Sequence, residues 1–189
     1  MWHAWRDVHL ETPRLVLREF RESDWPRLHA IESDPEGVRY QSFGPRTPEE
    51  SQDYARRHAR HAHQVPRDTW DLVLTLRGAD AMIGRCGLGL TGDAPGDGQL
   101  WYQIDRPLWG RGYATEAARA LVAAGFTELD LHRIWADCDP RNAASIRVLE
   151  QLGFRREGHL VENAWFKGEW VDTLLYALLR REWFPAGQP

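Results

Sequence analysis

The chain has 189 residues, 42% of them hydrophobic and 28% charged, with a formal net charge of −4. That length supports one core, and the mild acidic balance excludes a global bias toward nucleic acid or an anionic membrane. Two cysteines, Cys86 and Cys138, lie far apart in the sequence with no C-x-x-C pair, which excludes a zinc knuckle or a dithiol redox motif and predicts two buried reduced thiols. Positive charge is almost all arginine, Lys167 being the only lysine. No apolar run approaches the roughly 18 residues of a membrane span, and the stretch Met1 to Asp7 has no apolar leader core, so the expected location is cytoplasmic. The 10 tryptophans, Trp2 among them, are scattered without a repeat, as expected of core and rim residues.

Along the chain, the alternation in Arg14 to Phe20 predicts a first strand. Ser23-Asp24 offers caps for a short helix to about Ile31, stopped near Asp34-Pro35. Thr47-Pro48-Glu49-Glu50 is a capping signature for a polar helix to about His63. His58 and His61 share a face of that helix. No carboxylate or cysteine nearby in the sequence completes a ligand set, so the face reads as solvated and no metal site is expected. Trp70–Leu76 and Ala81–Leu90 predict an antiparallel pair, and Thr91 to Gly98 reads as a loop. Leu100–Ile104 is the next strand.

A helix after Gly112 carries the stripe Ala114, Ala117, Ala118, Leu121, Val122, Phe126 and Leu129. It is followed by a strand over His132–Cys138, a turn at Asp139-Pro140, and a helix from Asn142 to a Gly153 cap. Two strands close the chain, about Phe154–Val161 and Trp170–Leu179. The order βααβββαβαββ gives one mixed α/β (α+β) domain over residues 1–189, with the folded core about 12–184 and short tails.

The segment Trp109-Gly110-Arg111-Gly112-Tyr113-Ala114-Thr115-Glu116-Ala117 concentrates the chemistry. A Gly-x-Gly turn at a helix start exposes amides at the positive end of the helix dipole, where a phosphate binds. A nucleoside-triphosphate loop is excluded, because Lys167 is followed by Gly168 and no G-K-[ST] exists. A dinucleotide fingerprint fits poorly. Thr115 replaces the third glycine, and five residues, Asp105 to Trp109, separate the strand from Gly110. Asp137 stands where a ribose-binding acid could fall, but the early antiparallel meander does not suit that fold. A coenzyme A pyrophosphate site needs a strand, a short link, a glycine turn and a helix, then a second helix bearing polar groups for the pantetheine arm. This chain supplies them in that order.

Trp109–Ala117 and Asn142–Phe154 resemble the two signature motifs of the GCN5-related N-acetyltransferase (GNAT) family. The closer likeness is to its ribosomal-protein N-terminal acetyltransferase (RimJ/RimL-like) branch. The opening Thr12–Arg18 and the closing Gly168–Asp172 through Trp183 resemble that branch as well. One departure is Pro107, where the wider family often has Gln or Arg; Arg106 or Arg111 would then serve the phosphates.

The resemblance implies a GNAT-like domain with a central, mostly antiparallel twisted sheet flanked by helices. It implies an acetyl-CoA-dependent N-acetyltransferase that acts on a primary amine, such as a protein N-terminus, by direct transfer in a ternary complex. The amides of Gly110, Arg111, Gly112, Tyr113 and Ala114, with Trp109 and the Thr115 hydroxyl, would hold the pyrophosphate. Gln103 and Ile104 would pair with the pantetheine like an added strand, and a backbone N–H there would polarise the acetyl carbonyl. Asn142 would hold the pantetheine, with an N-cap role as its plainer reading, and Arg147 would approach the adenosine phosphate or stand solvated. Ser145 replaces the usual tyrosine general acid, and Glu162 is the expected base, with His159, Glu169 and Asp172 as rivals. Trp25, Tyr40, Phe43, Trp165 and Phe166 are candidate acceptor walls, each with core packing as the competing role. Acetyl-CoA and an amine are the expected partners, with no nucleic acid and no membrane, and pairing into a homodimer is common among such domains. The competing readings are a non-catalytic acyl-CoA-binding module of the same fold, or an enzyme for amino acids, polyamines or aminoglycosides.

Overall fold

The computed structural model describes residues 5, 7–91 and 96–184. Trp2, the centre of the expected loop at 92–95, and the last residues of the chain lie outside them. In order, the elements are β1 (His9–Glu11), β2 (Leu15–Glu19), α1 (Trp25–Glu32), α2 (Pro48–His61), β3 (Thr69–Leu76), β4 (Met82–Leu90), β5 (Asp97–Ile104), α3 (Tyr113–Thr127), β6 (Arg133–Cys138), α4 (Ala143–Gln151), β7 (Arg155–Phe166), β8 (Glu169–Leu179) and α5 (Arg180–Trp183). The strands form one 8-stranded sheet in the order β1-β2-β3-β4-β5-β6-β8-β7. Its neighbours are antiparallel except β5 and β6. The expected sequence of strands and helices is present, with β1 and α5 added at its ends.

Leu129, expected on the α3 stripe, follows the end of that helix at Thr127, and two boundaries differ from expectation by three residues or more. β5 starts at Asp97, inside the stretch expected as loop. Gly98 pairs there with Leu90 and Ile134, and its lack of a side chain suits the tight packing: a Cβ would lie 2.9 Å from Leu131 Cδ1 and 3.1 Å from Leu88 Cδ2. β7 runs on to Phe166, past Val161. The register shifts between Leu160 and Ala164, where Glu162 has φ 45°, so a bulge interrupts the two-residue period that marks a strand.

Helices cover both faces of the sheet centre, and β3 shows the division. Leu72 and Leu74 join the larger core with Leu121, Val122 and Phe126 of α3, while Val73 joins Leu28, Ile31 and Tyr54 of α1 and α2. Because both faces are covered, β3 and β4 read as continuous buried runs rather than as alternation. Cys86 and Cys138 are both free and buried, as expected. Among the described residues, no helix is long and apolar enough to cross a membrane.

The α1–α2 face also buries charge. Arg85, 5% exposed, meets Glu32 Oε1 at 2.9 Å and Asp71 Oδ2 at 3.1 Å, and those carboxylates are 0% and 3% exposed. Tyr54 donates to Asp71 Oδ2 at 2.6 Å, and Arg46 reaches Glu32 Oε2 at 2.5 Å. Burial opposes the charge on Arg85, but Tyr54, Asp71 and Glu32 more than offset it and raise its pKa.

Thr47 caps α2 as the sequence predicts, with Glu50 returning the bond to the Thr47 amide at 2.8 Å. The solvated-face reading of His58 is wrong. Its ring stacks on Tyr54 at 4.2 Å, and Nδ1 lies 3.7 Å from Asp71, because this side of α2 packs over β3. Among the described residues, no group of His, Cys, Asp and Glu could hold a metal ion.

Burial lowers the His58 pKa to about 4, with Asp71 opposing. The unfolded imidazole titrates near 6.5. At neutral pH both states hold it uncharged. As pH falls below about 6.5 the unfolded state binds the extra proton first, so stability declines until the folded value near 4 is passed. Urea midpoints at pH 7 and pH 5 should therefore differ more in the wild type than in His58→Phe.

Candidate active site

β5 and β6 pair over a short seam only, Asp97–Gln99 against Arg133–Trp135. Beyond it the two strands part around a cleft of about 800 Å³. Ile104 is registered with Gly84, and the Asp105 amide donates to Ile83 O at 2.8 Å. In the alternation of an antiparallel ladder, Tyr102 and Ile104 therefore turn their peptide groups away from β4 and into the splayed gap. The Gln103 backbone faces β4 instead, so Gln103 joins the cleft wall through its side chain, whereas backbone pairing had been expected.

The glycine turn closes one end of the cleft. Gly110 and Gly112 have φ 73° and 78°, the left-handed region that side chains disfavour. Glu116 N donates to Gly112 O at 3.0 Å, which leaves the Tyr113, Ala114 and Thr115 amides without intrahelical partners. Trp109 Nε1 donates to Ile104 O at 2.7 Å, fixing the turn against the end of β5. Trp109, Gly110, Arg111, Gly112, Tyr113, Ala114 and Thr115 all line the cleft, as do Asn142, Ser145 and Arg147. Arg106 does not: its Nε is held by Asp34 at 2.8 Å.

Arg14 is a part of this turn that sequence reasoning missed. Its guanidinium donates to Arg111 O at 2.9 Å, pairs with Glu116 at 2.6 Å and lies 4.7 Å over the Tyr113 ring. Glu116 also accepts from Thr12 Oγ1 at 2.6 Å and from the Arg14 amide at 2.8 Å. Burial raises the Glu116 pKa, but these bonds outweigh it and leave the carboxyl below its ordinary value. A carboxylate in the first turn helps to fix the turn, and the paired arginine neutralises it.

On the opposite wall, Asn142 Oδ1 accepts from Ser145 N at 3.1 Å, so the N-cap reading holds. That leaves the Asn142 Nδ2 donors for another partner. Ser145 Oγ lies 2.8 Å from the Tyr102 hydroxyl, a contact the sequence did not suggest. Burial is the chief cause of a strongly raised Tyr102 pKa, and it holds the neighbouring Cys138 thiol up at about 11. The cleft thus carries a neutral row of hydroxyl and thiol groups beside a phosphate-type turn.

The other candidates are placed elsewhere. Glu162 is exposed and does not line the cleft. Its amide donates to Asp172 Oδ1 at 2.8 Å, and Asp172 Oδ2 pairs with His159 Nε2 at 2.7 Å. Glu169 pairs with Arg141 at 2.9 Å. Of the five candidate acceptor walls only Tyr40 lines the cleft. Trp25 borders a separate small pocket, Phe43 lies under Arg46 at 4.2 Å, and Trp165 packs on Trp170 at 5.4 Å. Phe166 is exposed on the hairpin. The lone lysine, Lys167, donates from the β7–β8 turn to Val38 O at 2.6 Å and Arg39 O at 2.9 Å, holding the loop after α1 that borders the cleft.

Known proteins resemble this chain in sequence and in fold. An acetyltransferase (GNAT) domain family matches residues 14–155. The chain is 34% identical over 180 residues to an uncharacterized N-acetyltransferase, p20, of Bacillus licheniformis, covering 92% of this chain and 97% of that one. It is 34% identical over 86 residues to the [ribosomal protein uS5]-alanine N-acetyltransferase of Escherichia coli, covering 46% of this chain and 44% of that one. The solved structure of Mycobacterium smegmatis RimJ in complex with CoA-disulfide superposes with a TM-score of 0.82 at 25% identity, covering 98% of this chain and 92% of that one.

Proposed function

Because this chain belongs to the GNAT acetyltransferase family, we propose that it moves the acetyl group of acetyl-CoA directly to the α-amine of a peptide or protein N-terminus in a ternary complex. The observation that carries this reading is the cleft through the sheet, with a phosphate-type turn at one end and the Ser145–Tyr102 hydroxyl pair in its wall. The free amides of Tyr113, Ala114 and Thr115 bind the pyrophosphate, with Arg111 and Arg147 beside it. Asn142 Nδ2 donates to the pantetheine arm, and the outward peptide groups of Tyr102 and Ile104 extend the sheet to it.

The amine nitrogen attacks the thioester carbon, whose oxygen a β5 amide stabilises as charge develops. The C–N bond forms, the C–S bond breaks, and the electron pair leaves on sulfur. Ser145 hydrogen-bonds that sulfur and relays to it, through water, the proton that the amine releases, while the Tyr102 hydroxyl stays protonated and holds Ser145 in place. The amine gives up its own proton to water. An α-amine needs little help in this, since its pKa is about 7.7–8.0 against about 10.4 for lysine. The wall presents Glu36 as an exposed carboxylate, while Glu162 stands outside the cleft. The partial likeness to an enzyme named for acetylating an alanine of a ribosomal protein supports an N-terminal acceptor.

CoA release should be measured with acetyl-CoA and alanine-first peptides, their N-formylated counterparts, and spermidine. The expected result is release with free N-termini and none with formylated ones. Release with spermidine alone would overturn the N-terminal reading. Gly112→Val tests the turn. A left-handed conformation costs an L-residue about 1–2 kcal/mol, so the dissociation constant for acetyl-CoA should rise by about tenfold or more in calorimetry.

A further inference from the structure

β5 presents different side chains to its two faces. Tyr102 points toward Ser145 of α4, so Trp101 and Gln103 project from the face covered by α1 and α2. Both line the cleft.

Trp101 sits in a slot made for it. A Cβ on Gly87 would fall 2.1 Å from Trp101 Cε2, and one on Gly89 would fall 3.2 Å from Cζ3. The indole lies flat across β4 only because both positions lack side chains. Its Nε1 donates to Asp71 Oδ1 at 3.1 Å, and Asp71 is itself held by Arg85 and Tyr54. Position and orientation of the ring are thus fixed from β3, β4 and β5 together, which pre-organises an aromatic surface on the cleft wall.

Gln103 is 6% exposed. Its Nε2 donates to Gly37 O at 3.4 Å, which sets the amide orientation, since reversal would bring two oxygens together. Oε1 then has no hydrogen-bond partner among the described residues. A buried acceptor left alone costs about 1–3 kcal/mol, so a donor arriving there is favoured by a similar amount. Glu36 borders the same side, with its carboxylate 59% exposed and only a 3.8 Å contact to Arg39.

We propose that Trp101 and Gln103 form the seat of the acceptor amine. Gln103 Oε1 takes a hydrogen bond from an acceptor N–H, and the Trp101 indole face takes the ammonium charge of the same nitrogen before its proton is lost, with Glu36 adding a favourable field. The ligand class is a primary amine, cationic in bulk water, with no anionic group next to the nitrogen. The proposal rests on acetyl transfer to an amine, but not on the choice of a protein N-terminus.

The test compares wild type, Gln103→Leu and Gly87→Ala in the full chain, with acetyl-CoA and two probes: an alanine-first hexapeptide amide and spermidine. The amine KM should rise about tenfold in each variant, through loss of one hydrogen bond to a charged group in Gln103→Leu and through displacement of the Trp101 ring in Gly87→Ala. kcat should change less, and the dissociation constant for CoA should stay within about twofold. An unchanged amine KM in Gln103→Leu would mean that trapped water satisfies Oε1, and it overturns the proposal. So does a CoA affinity that falls in parallel, which would mark both residues as scaffold. If Gly87→Ala does not fold, Gln103→Leu decides alone. Wild-type turnover of spermidine without the peptide defeats the N-terminal reading, and the same KM comparison then decides the seat. Turnover of neither probe defeats the seat itself.

Discussion

Arg85→Met lowers the free energy of unfolding by about 3–5 kcal/mol, the usual range when one partner of a buried ion pair is removed. The substitution keeps the volume and removes the charge. It leaves Glu32 at 0% and Asp71 at 3% exposure without the cation that faces both. Arg46 still reaches Glu32, so Asp71 bears the larger penalty. Urea denaturation monitored by tryptophan fluorescence reads the change as a lower midpoint with an unchanged slope. A loss below about 1 kcal/mol would mean that the Tyr54 and Trp101 donors suffice for Asp71 without the arginine, and it overturns this prediction. Because Asp71 also orients Trp101, activity should fall in the folded fraction before the protein melts.

The second large effect is on chemistry. Ser145→Ala should lower kcat by about a hundredfold, the lower end of what a positioned general acid contributes. CoA affinity should move little, because the Asn142 cap bonds the Ser145 amide, which alanine retains. Tyr102→Phe should cost less, since it acts through Ser145. The double variant should be no slower than Ser145→Ala alone if the two hydroxyls work in series. Rapid-quench measurement of acetyl transfer separates this step from product release. A wild-type rate in Ser145→Ala would show that water protonates the departing sulfur.

The glycine turn and the α4 cap that line the cleft were readable because their signals are local. Gly110 and Gly112 mark a turn by their conformational freedom, Asn142 marks a cap, and both are followed by clear helical periodicity. The central hairpin and the α3 stripe followed the same logic. Other contacts around the cleft join residues distant in sequence: Arg14 reaching the glycine turn after β5, Trp101 reaching Asp71, Gln103 reaching Gly37. None of these pairs leaves a trace at fixed spacing. His58 was misread for the same reason, since the polar pattern of α2 does not reveal that β3 lies beneath it. Glu162 failed as a cleft residue because a bulge in β7 displaces it from the alternation that a sequence reading assumes.

The seam between β5 and β6 also has a mechanical meaning. Among the described residues, a β1–β5 block and a β6–β8 block are joined as strands only through Asp97–Gln99 and Arg133–Trp135, with Arg133–Asp97 and Gln99–Asp137 as side-chain rivets. The wedge beyond it is bounded by Ile104 on one side and Asn142 on the other. A pantetheine arm bonded to both, as proposed above, would work as a tie-bar across the open end. Cosubstrate loading should then stiffen the whole sheet, and amides far from the ligand, in β4 and β8, should exchange with deuterium more slowly when the wedge is spanned.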